Sequence, residues 1–369
     1  MTRPPHGWGV RGAVHVNGAA VHYRRAGKRG APVVILLHGS PESASALFGV
    51  AAALTGRFDV IGFDTPGNGL SAPLDVSDPD ADDYARNLVA FMDVMGVERA
   101  GLYGFHTGAG TAMSAALLAP ERIAALALDG YAVWTPRERD DLLARYCVVH
   151  APVWDGSHLA RIWARLEEQL IFFPWNTPRL YARMNLAPTP LEVRLRRLRD
   201  WLTAWESYPA PYRAAFKRDG HVGPDRTCVP TLLGAMVRDP LSTHLPRLCA
   251  LSKSVRVASW GEDREHALDE IAAHLAAHPG APAATTPGQK IGPETRPETD
   301  RELLASLARP AARPGWSPDD HGGFLLKLWR DLRLEAIAAA PDQAALDAAL
   351  DPLALHGRVT AAIQAETGL

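Results

Sequence analysis

The chain has 369 residues, 47% of them apolar and 22% charged, enough for one large α/β domain with additions or for two domains. A formal net charge of −2 points away from nucleic acid and anionic membrane partners, and three cysteines, none in a C-x-x-C pair, point away from a disulfide framework or a zinc site. The first ten residues carry no apolar signal core and no stretch is long enough to span a bilayer, so a soluble cytoplasmic protein is expected.

Ala13 to Val16 and Ala20 to Arg24 read as short strands joined at Asn17-Gly18, a hairpin turn. The apolar run Pro32 to Leu37 reads as a strand buried on both faces and ends in His38-Gly39-Ser40-Pro41. A helix is expected over Glu42 to Leu54. The next strand, Phe58 to Phe63, runs into the turn-rich loop Asp64 to Ser71. An amphipathic helix over Asp82 to Met95 precedes a strand over Ala100 to Tyr103.

The chain then reads Gly104-Phe105-His106-Thr107-Gly108, followed by a small-residue helix to Leu118. Glycines two before and two after a central residue, between strand and helix, give the spacing of a nucleophile elbow. Ser, Cys or Asp is expected at the centre, and the chain has His106. A strand over Ile123 to Asp129 follows, and such alternation implies a parallel sheet with right-handed crossovers.

The alternation stops near Val133. Residues 134–225 are helix-prone and rich in Arg, Trp and Pro, and form an insertion expected at the sheet edge where ligands bind in open α/β folds. It resumes with a strand over Pro230 to Val237, a helix over Ser242 to Leu251, a strand over Val255 to Trp260 and a helix over His266 to His278.

The order His38-Gly39, Asp64-x-x-Gly67-x-Gly69-x-Ser71, elbow, helical insertion and strand ending near Asp239 resembles the α/β-hydrolase superfamily, including its capped epoxide hydrolases, haloalkane dehalogenases and proline iminopeptidases. The resemblance covers about residues 12–278 and is specific for the fold rather than the substrate. It implies a core over 1–133 and 226–278, with a helical cap over 134–225. It also implies hydrolysis of an ester, lactone or epoxide, with a small-molecule substrate and an oxyanion hole from the Ser40 and Thr107 N–H groups beside Gly39. Asp239 stands where the family's acid lies. A Gly-His pair is expected after the last strand. The sequence has Gly261-Glu262 instead, which leaves His266 as the candidate second histidine. Asp129 is an alternative acid, and Asp319-Asp320-His321 is a further acidic–His cluster.

His106 has three readings: a general base acting on water or a substrate C–H or O–H, an unusual nucleophile, or a remnant in a binding protein without this chemistry. A Ser40–His106 dyad with exchanged loop positions is a further arrangement. No metal-ligand cluster and no dinucleotide fingerprint appears, so neither metal nor cofactor is expected. Trp154, Trp163, Phe172, Phe173 and Trp175 are expected in the insertion's core, and Arg194 to Arg199 on a solvated helix face.

Pro279 to Pro297 reads as part of a linker over 279–299, and 300–369 as a helical extension. Gly156-x-x-Leu159-x-x-x-Trp163-x-x-Leu166 lines up with Gly322-x-x-Leu325-x-x-x-Trp329-x-x-Leu332. Pro190-Leu191 faces Pro352-Leu353, and Arg196 faces Arg358. The extension is therefore expected to repeat part of the insertion.

Overall fold

The structure, a computed structural model, describes residues 8–184, 189–284, 322–341 and 343–366. These residues form two compact units, one of 7–147 with 207–294 and one of 148–206 with 295–369. The unit boundaries within the insertion thus fall at 147/148 and 206/207, and its first and last helices belong to the sheet-bearing unit.

That unit is built on an eight-stranded sheet of order β1-β2-β4-β3-β5-β6-β7-β8. β1 (Val10–Val16) and β2 (Ala19–Gly27) form the expected hairpin, with Asn17 and Gly18 at φ 51° and 84° in its turn. β3 (Val33–Leu37), β4 (Asp59–Phe63), β5 (Ala100–Phe105), β6 (Ile123–Asp129), β7 (Thr231–Gly234) and β8 (Val255–Val257) run parallel to one another, and β2 joins β4 antiparallel. All residues of β3, β4 and β6 are buried, as apolar runs such as Val33–Leu37 and Ile123–Leu128 require of strands covered on both faces, and the buried Asp59 and Asp129 at the strand ends are paired with Arg25 and Arg264.

One face carries α2 (Ala81–Val94) and α3 (Thr107–Leu118), with Leu88, Phe91, Ala112 and Met113 on Ile35, Leu37 and Leu102. The other carries α1 (Phe48–Leu54) and α8 (Arg264–Ala277), with Leu54, Ile271 and Leu275 on Val34, Leu36 and Trp260. Full burial of one such side chain contributes roughly 1.5–3 kcal/mol. α4 (Pro136–Arg145) packs on α7 (Pro209–Lys217), which also meets α2 and α3.

Two expected helices differ. Residues 42–54 begin with a 3-10 turn over Ala44–Leu47 before α1, and the helix expected over Ser242 to Leu251 is a 3-10 segment, Pro240–Arg247, with Pro246 inside it. A proline there removes an N–H and clashes with the preceding turn. The last strand is also short, three residues, and closes on the buried Trp260. Residues 281–284, at the start of the expected linker, are tied to the core: the Ala281 N–H donates to Arg99 O, and the Val33 N–H to Ala281 O. The Asp319–His321 cluster lies outside the described residues.

The helical unit holds α5 (Ser157–Ile171), α6 (Leu191–Thr203), α9 (Gly323–Ala339), α10 (Gln343–Ala349) and α11 (Pro352–Glu366). α5 packs on α6 and α9, and α11 on α6 and α9. The Arg194–Arg199 run is not a solvated face. Arg194 and Arg199 are buried, Arg194 bonded to Glu167 and lying over the Trp163 ring, and Arg199 paired with buried Asp200. Trp163 is core, whereas Trp154 is 65% exposed.

Candidate active site

The elbow is formed between β5 and α3. His106 adopts φ 49°, ψ −111°, a conformation rare for a side-chain-bearing residue. The flanking glycines are required by close approach. A Cβ on Gly104 would stand 2.6 Å from Ala109 Cα, and one on Gly108 2.4 Å from Leu37 O. The His106 N–H is held by Asp129 O at 3.0 Å, which anchors the turn to β6. The imidazole stacks on Phe105 with centroids 3.9 Å apart.

His106 Nε2 lies 2.6 Å from Asp239 Oδ2. Asp239 follows β7, and its other oxygen accepts the Leu241 N–H at 2.8 Å, which caps the 3-10 turn and fixes the carboxylate. The pair is partly shielded, with side-chain exposures of 27% for His106 and 12% for Asp239. Burial acts against both charged forms, yet the net shift of each follows its partner. The Asp239 carboxylate raises the imidazole pKa, and the His106 ring lowers the carboxyl pKa. With Asp239 accepting from Nε2–H, the neutral ring carries its lone pair on Nδ1. Among the described residues Nδ1 has no hydrogen-bond partner. The pair can therefore accept a proton at Nδ1 and stabilise the resulting imidazolium.

Gly130 makes room for this ring. A Cβ there would stand 2.4 Å from His106 Cδ2 and 3.4 Å from Asp239 Oδ1. Its φ of +70° also suits glycine. Sequence reading missed this residue; its signal is the Asp129-Gly130 pair closing β6.

The loop after β3 stands beside the elbow, with the Gly39 Cβ position 3.4 Å from His106 Cβ. The Ser40 N–H donates to Thr107 Oγ1 at 2.8 Å, and the Thr107 hydroxyl donates to Ser40 Oγ at 3.2 Å. Asn68 Nδ2 also donates to Ser40 Oγ at 3.0 Å, while Asn68 Oδ1 is buried without a partner among the described residues. Both lone pairs of the Ser40 hydroxyl are thus used, and neither bond involves His106. His38 braces the loop by accepting the Thr65 N–H at 3.0 Å on Nε2. Asp64 ties it to β2 through His22 Nδ1 at 2.7 Å, and although burial opposes it, His22 takes the Asp64 pKa well below the ordinary carboxylate range.

The other sequence candidates lie elsewhere. His266 is exposed in the first turn of α8, its N–H held by the N-cap Asp263 at 3.0 Å, and the structure does not bring it to His106. Asp129 Oδ2 accepts from the Tyr103 hydroxyl at 2.8 Å and from Arg264 at 2.7 Å, a buried structural network beneath the sheet end. Burial raises its pKa against the pull of Arg264, and among the described residues its Oδ1 has no partner. Glu262, where the second histidine is expected, is exposed and paired with Arg238. Among the described residues no group of three or more His, Cys, Asp or Glu is placed to hold a metal ion. Among the same residues, no helix is long and apolar enough to cross a membrane.

Residues 32–146 match the family model described as the alpha/beta hydrolase fold. The sheet-bearing unit has the α/β-hydrolase fold. Epoxide hydrolase A of Mycobacterium tuberculosis is 37% identical over 116 residues, 31% of this chain and 36% of that protein. A 2-hydroxy-6-oxononadienedioate/2-hydroxy-6-oxononatrienedioate hydrolase of Paraburkholderia phymatum is 37% identical over 114 residues, 30% of this chain and 39% of that protein. The chain thus spans less than two fifths of the length of these curated relatives. The crystal structure of epoxide hydrolase A from Mycobacterium thermoresistibile superposes with a TM-score of 0.55 over 73% of this chain and 97% of that one, at 20% identity, a likeness of fold. As an α/β-hydrolase-fold protein, the chain departs from the pattern it resembles at two points: the histidine stands in the elbow, bonded directly to the acid, and among the described residues the segment after β8 supplies none to the pair.

Proposed function

We propose that this α/β-hydrolase-fold chain is an enzyme acting without a cofactor on a small, largely apolar organic molecule, with His106 Nδ1 as general base and Asp239 holding Nε2–H. The observation that carries the reading is the 2.6 Å His106–Asp239 contact, formed on a strained elbow. Strain of this kind costs on the order of 1–3 kcal/mol and persists where the surroundings over-determine it. An imidazole suits proton transfer because its ordinary pKa, about 6.5, lies near working pH.

In the hydrolytic form, a water gives its proton to Nδ1 while its oxygen bonds to an epoxide, ester or lactone carbon. The C–O bond opens, and the leaving oxygen recovers the proton from the imidazolium. The named activities of the relatives favour this form. In the non-hydrolytic form, Nδ1 removes a substrate C–H or O–H proton and returns it at another position, giving elimination, isomerisation or cyclisation. The substrates are those of secondary metabolism under either form. The test is turnover of a panel of epoxides, esters and lactones by wild type and His106→Ala. Loss of turnover on at least one substrate supports the base, and equal turnover removes His106 from the mechanism.

One observation favours a second reading, a ligand-binding protein without catalysis: the Ser40 N–H, an expected oxyanion donor, is already bonded to Thr107. His106→Ser distinguishes the two. A gain of esterase activity over an inactive wild type supports a disabled hydrolase.

A further inference from the structure

Thr107 follows His106 and opens α3. Its own N–H, first in a twelve-residue helix, has no intrahelical acceptor and lies where the helix dipole favours an anion. The Ser40 N–H is the second donor of this corner, and the acceptor it meets is the Thr107 hydroxyl. That hydroxyl is tied down twice, since it also donates to Ser40 Oγ, which Asn68 Nδ2 holds from the far side. Ser40 and Asn68 are both buried, so the cluster is shielded from competing water. A β-branched side chain in the first turn of a helix has few rotamers into which to swing away.

We propose that the Thr107 hydroxyl is a built-in occupant of this anion-binding corner and sets the specificity of the site. While it is seated, a developing oxyanion must displace it from the Ser40 N–H and strip it of both bonds. The corner then disfavours reactions through a tetrahedral oxyanion and leaves His106 to substrates that react by proton transfer. Thr107 is thus a specificity-determining residue that narrows the function proposed above to epoxide opening and its non-hydrolytic form, and away from ester and lactone hydrolysis. The inference rests on that function for its consequence, whereas its test reads anion binding and not turnover.

The test follows the Ser40 and residue-107 amide resonances of the full chain during titration with acetate, a small oxyanion. Wild type and Thr107→Ser, which keeps the hydroxyl, should show no saturable shift. Thr107→Ala frees the Ser40 N–H and should bind at least ~10-fold more tightly, a difference of about 1.4 kcal/mol, with both amides moving together. Thr107→Gly carries the same expectation if the alanine variant does not fold. Equal acetate affinity in wild type and Thr107→Ala, or tight binding by Thr107→Ser, overturns the proposal. Equal turnover by wild type and His106→Ala, together with acetate binding gained by Thr107→Ala, would count against the function and leave the role of Thr107 standing.

A separate observation concerns the helical unit. Gly156 and Gly322 cap α5 and α9 in nearly the same left-handed conformation, φ 75°, ψ 6° and φ 73°, ψ 4°. A Cβ on Gly156 would stand 2.7 Å from the Trp329 ring, and one on Gly322 2.5 Å from the Trp163 ring. His158 packs edge-on against Trp329 at 5.1 Å, and Phe324, in the matching place on α9, packs edge-on against Trp163 at 5.6 Å. Exchanging the two segments therefore exchanges the contacts. Chance likeness of two amphipathic helices explains shared letters, not this reciprocity. We infer that α5–α6 and α9–α11 are two copies of one helical element packed about an approximate twofold axis. The second helices match by burial, Leu195, Leu198 and Leu202 with His356, Val359 and Ile363, one residue off the register that pairs Pro190 with Pro352. The test is crossed rescue. Gly156→Ala should lower the melting temperature and be rescued by Trp329→Leu but not Trp163→Leu, and Gly322→Ala by Trp163→Leu but not Trp329→Leu. Rescue on one side alone breaks the symmetry.

Discussion

The Asp239 carboxylate meets the His106 imidazole at 2.6 Å, with no residue between the elbow and the acid. A three-membered relay places a hydroxyl, thiol or carboxylate in the elbow and a histidine between it and the acid. Here the histidine occupies the elbow itself and meets the acid directly, and under the proposed function it serves as the base.

The first prediction concerns the coupling within this pair. Asp239→Asn keeps the shape and removes the charge that raises the His106 pKa. Burial is then opposed only by the more distant charges of Asp129 and Glu42, and the imidazole should titrate below its wild-type value. Proton NMR of the His106 ring checks this directly. A value unchanged from wild type would mean that the carboxylate does not govern the base.

The pH dependence of activity follows with its sign. A general base works only when neutral, so kcat/KM should rise with pH through the raised pKa of His106, above about 6.5. Stability runs the other way for this group. Its contribution is fully present below its unfolded value and is lost as pH rises through the folded one. Asp239, with its lowered pKa, contributes above about 3.8, and that contribution is lost as pH falls through the folded value. Activity and the stability of the pair should therefore diverge on the alkaline side, read by a pH–rate profile and urea unfolding in the same buffers.

The sheet was legible in the chain because buried parallel strands need unbroken apolar runs, and Pro32 to Leu37 and Ile123 to Leu128 are such runs. The elbow was legible because Gly104 and Gly108 must permit contacts that no Cβ tolerates. Asp239 could be placed from its position after a strand. The role of Thr107 was not legible as found: spacing gives its N–H to the corner, and the placing of its hydroxyl on Ser40 depends on a rotamer. His266 misled because a histidine near a strand end reads the same whether it faces a pocket or opens a helix. The burial of Arg194 and Arg199 was hidden by their charge, since long side chains cover apolar surface while finding partners such as Glu167 and Asp200.

Gly130 offers a structural test of the elbow's fit. Gly130→Ala places a methyl 2.4 Å from His106 Cδ2, at a φ of +70°. Overpacking of this kind costs about 1–3 kcal/mol, and the left-handed backbone adds about 1 kcal/mol. The ring must move away from Asp239, so activity should fall by at least ~10-fold, since small misplacements of a reacting group are costly. A crystal structure or the His106 titration in the variant would show the displaced ring. Full activity would mean that the imidazole position is not critical.

The last prediction concerns acid and the helical unit. The Val153 N–H donates to His158 Nδ1 at 3.3 Å, His158 Nε2 lies 3.1 Å from His356 Nδ1, and His356 Nε2 lies 3.0 Å from Leu202 O. Only one proton arrangement satisfies this chain: both rings neutral, each with its proton on Nε2. A proton on His158 Nδ1 would face the Val153 N–H and break the first bond. Burial lowers the His158 pKa to about 4, helped by His356 and His150 and opposed by Asp155, and burial lowers that of His356 as well. A neutral buried histidine of this kind stabilises the fold above its unfolded pKa. That contribution is lost on acidification, because between about 6.5 and 4 the unfolded chain takes up the proton first. For His158 alone the loss reaches about 3 kcal/mol at 1.36 kcal/mol per pKa unit. His158→Phe, which installs the residue type that Phe324 supplies at the matching place on α9, should lower stability at pH 7.5 by about 1 kcal/mol, since His356 loses its donor. It should also flatten the fall between pH 6.5 and 4.5 measured by urea unfolding. A variant that loses stability on acidification as steeply as wild type would place the acid-sensitive group elsewhere.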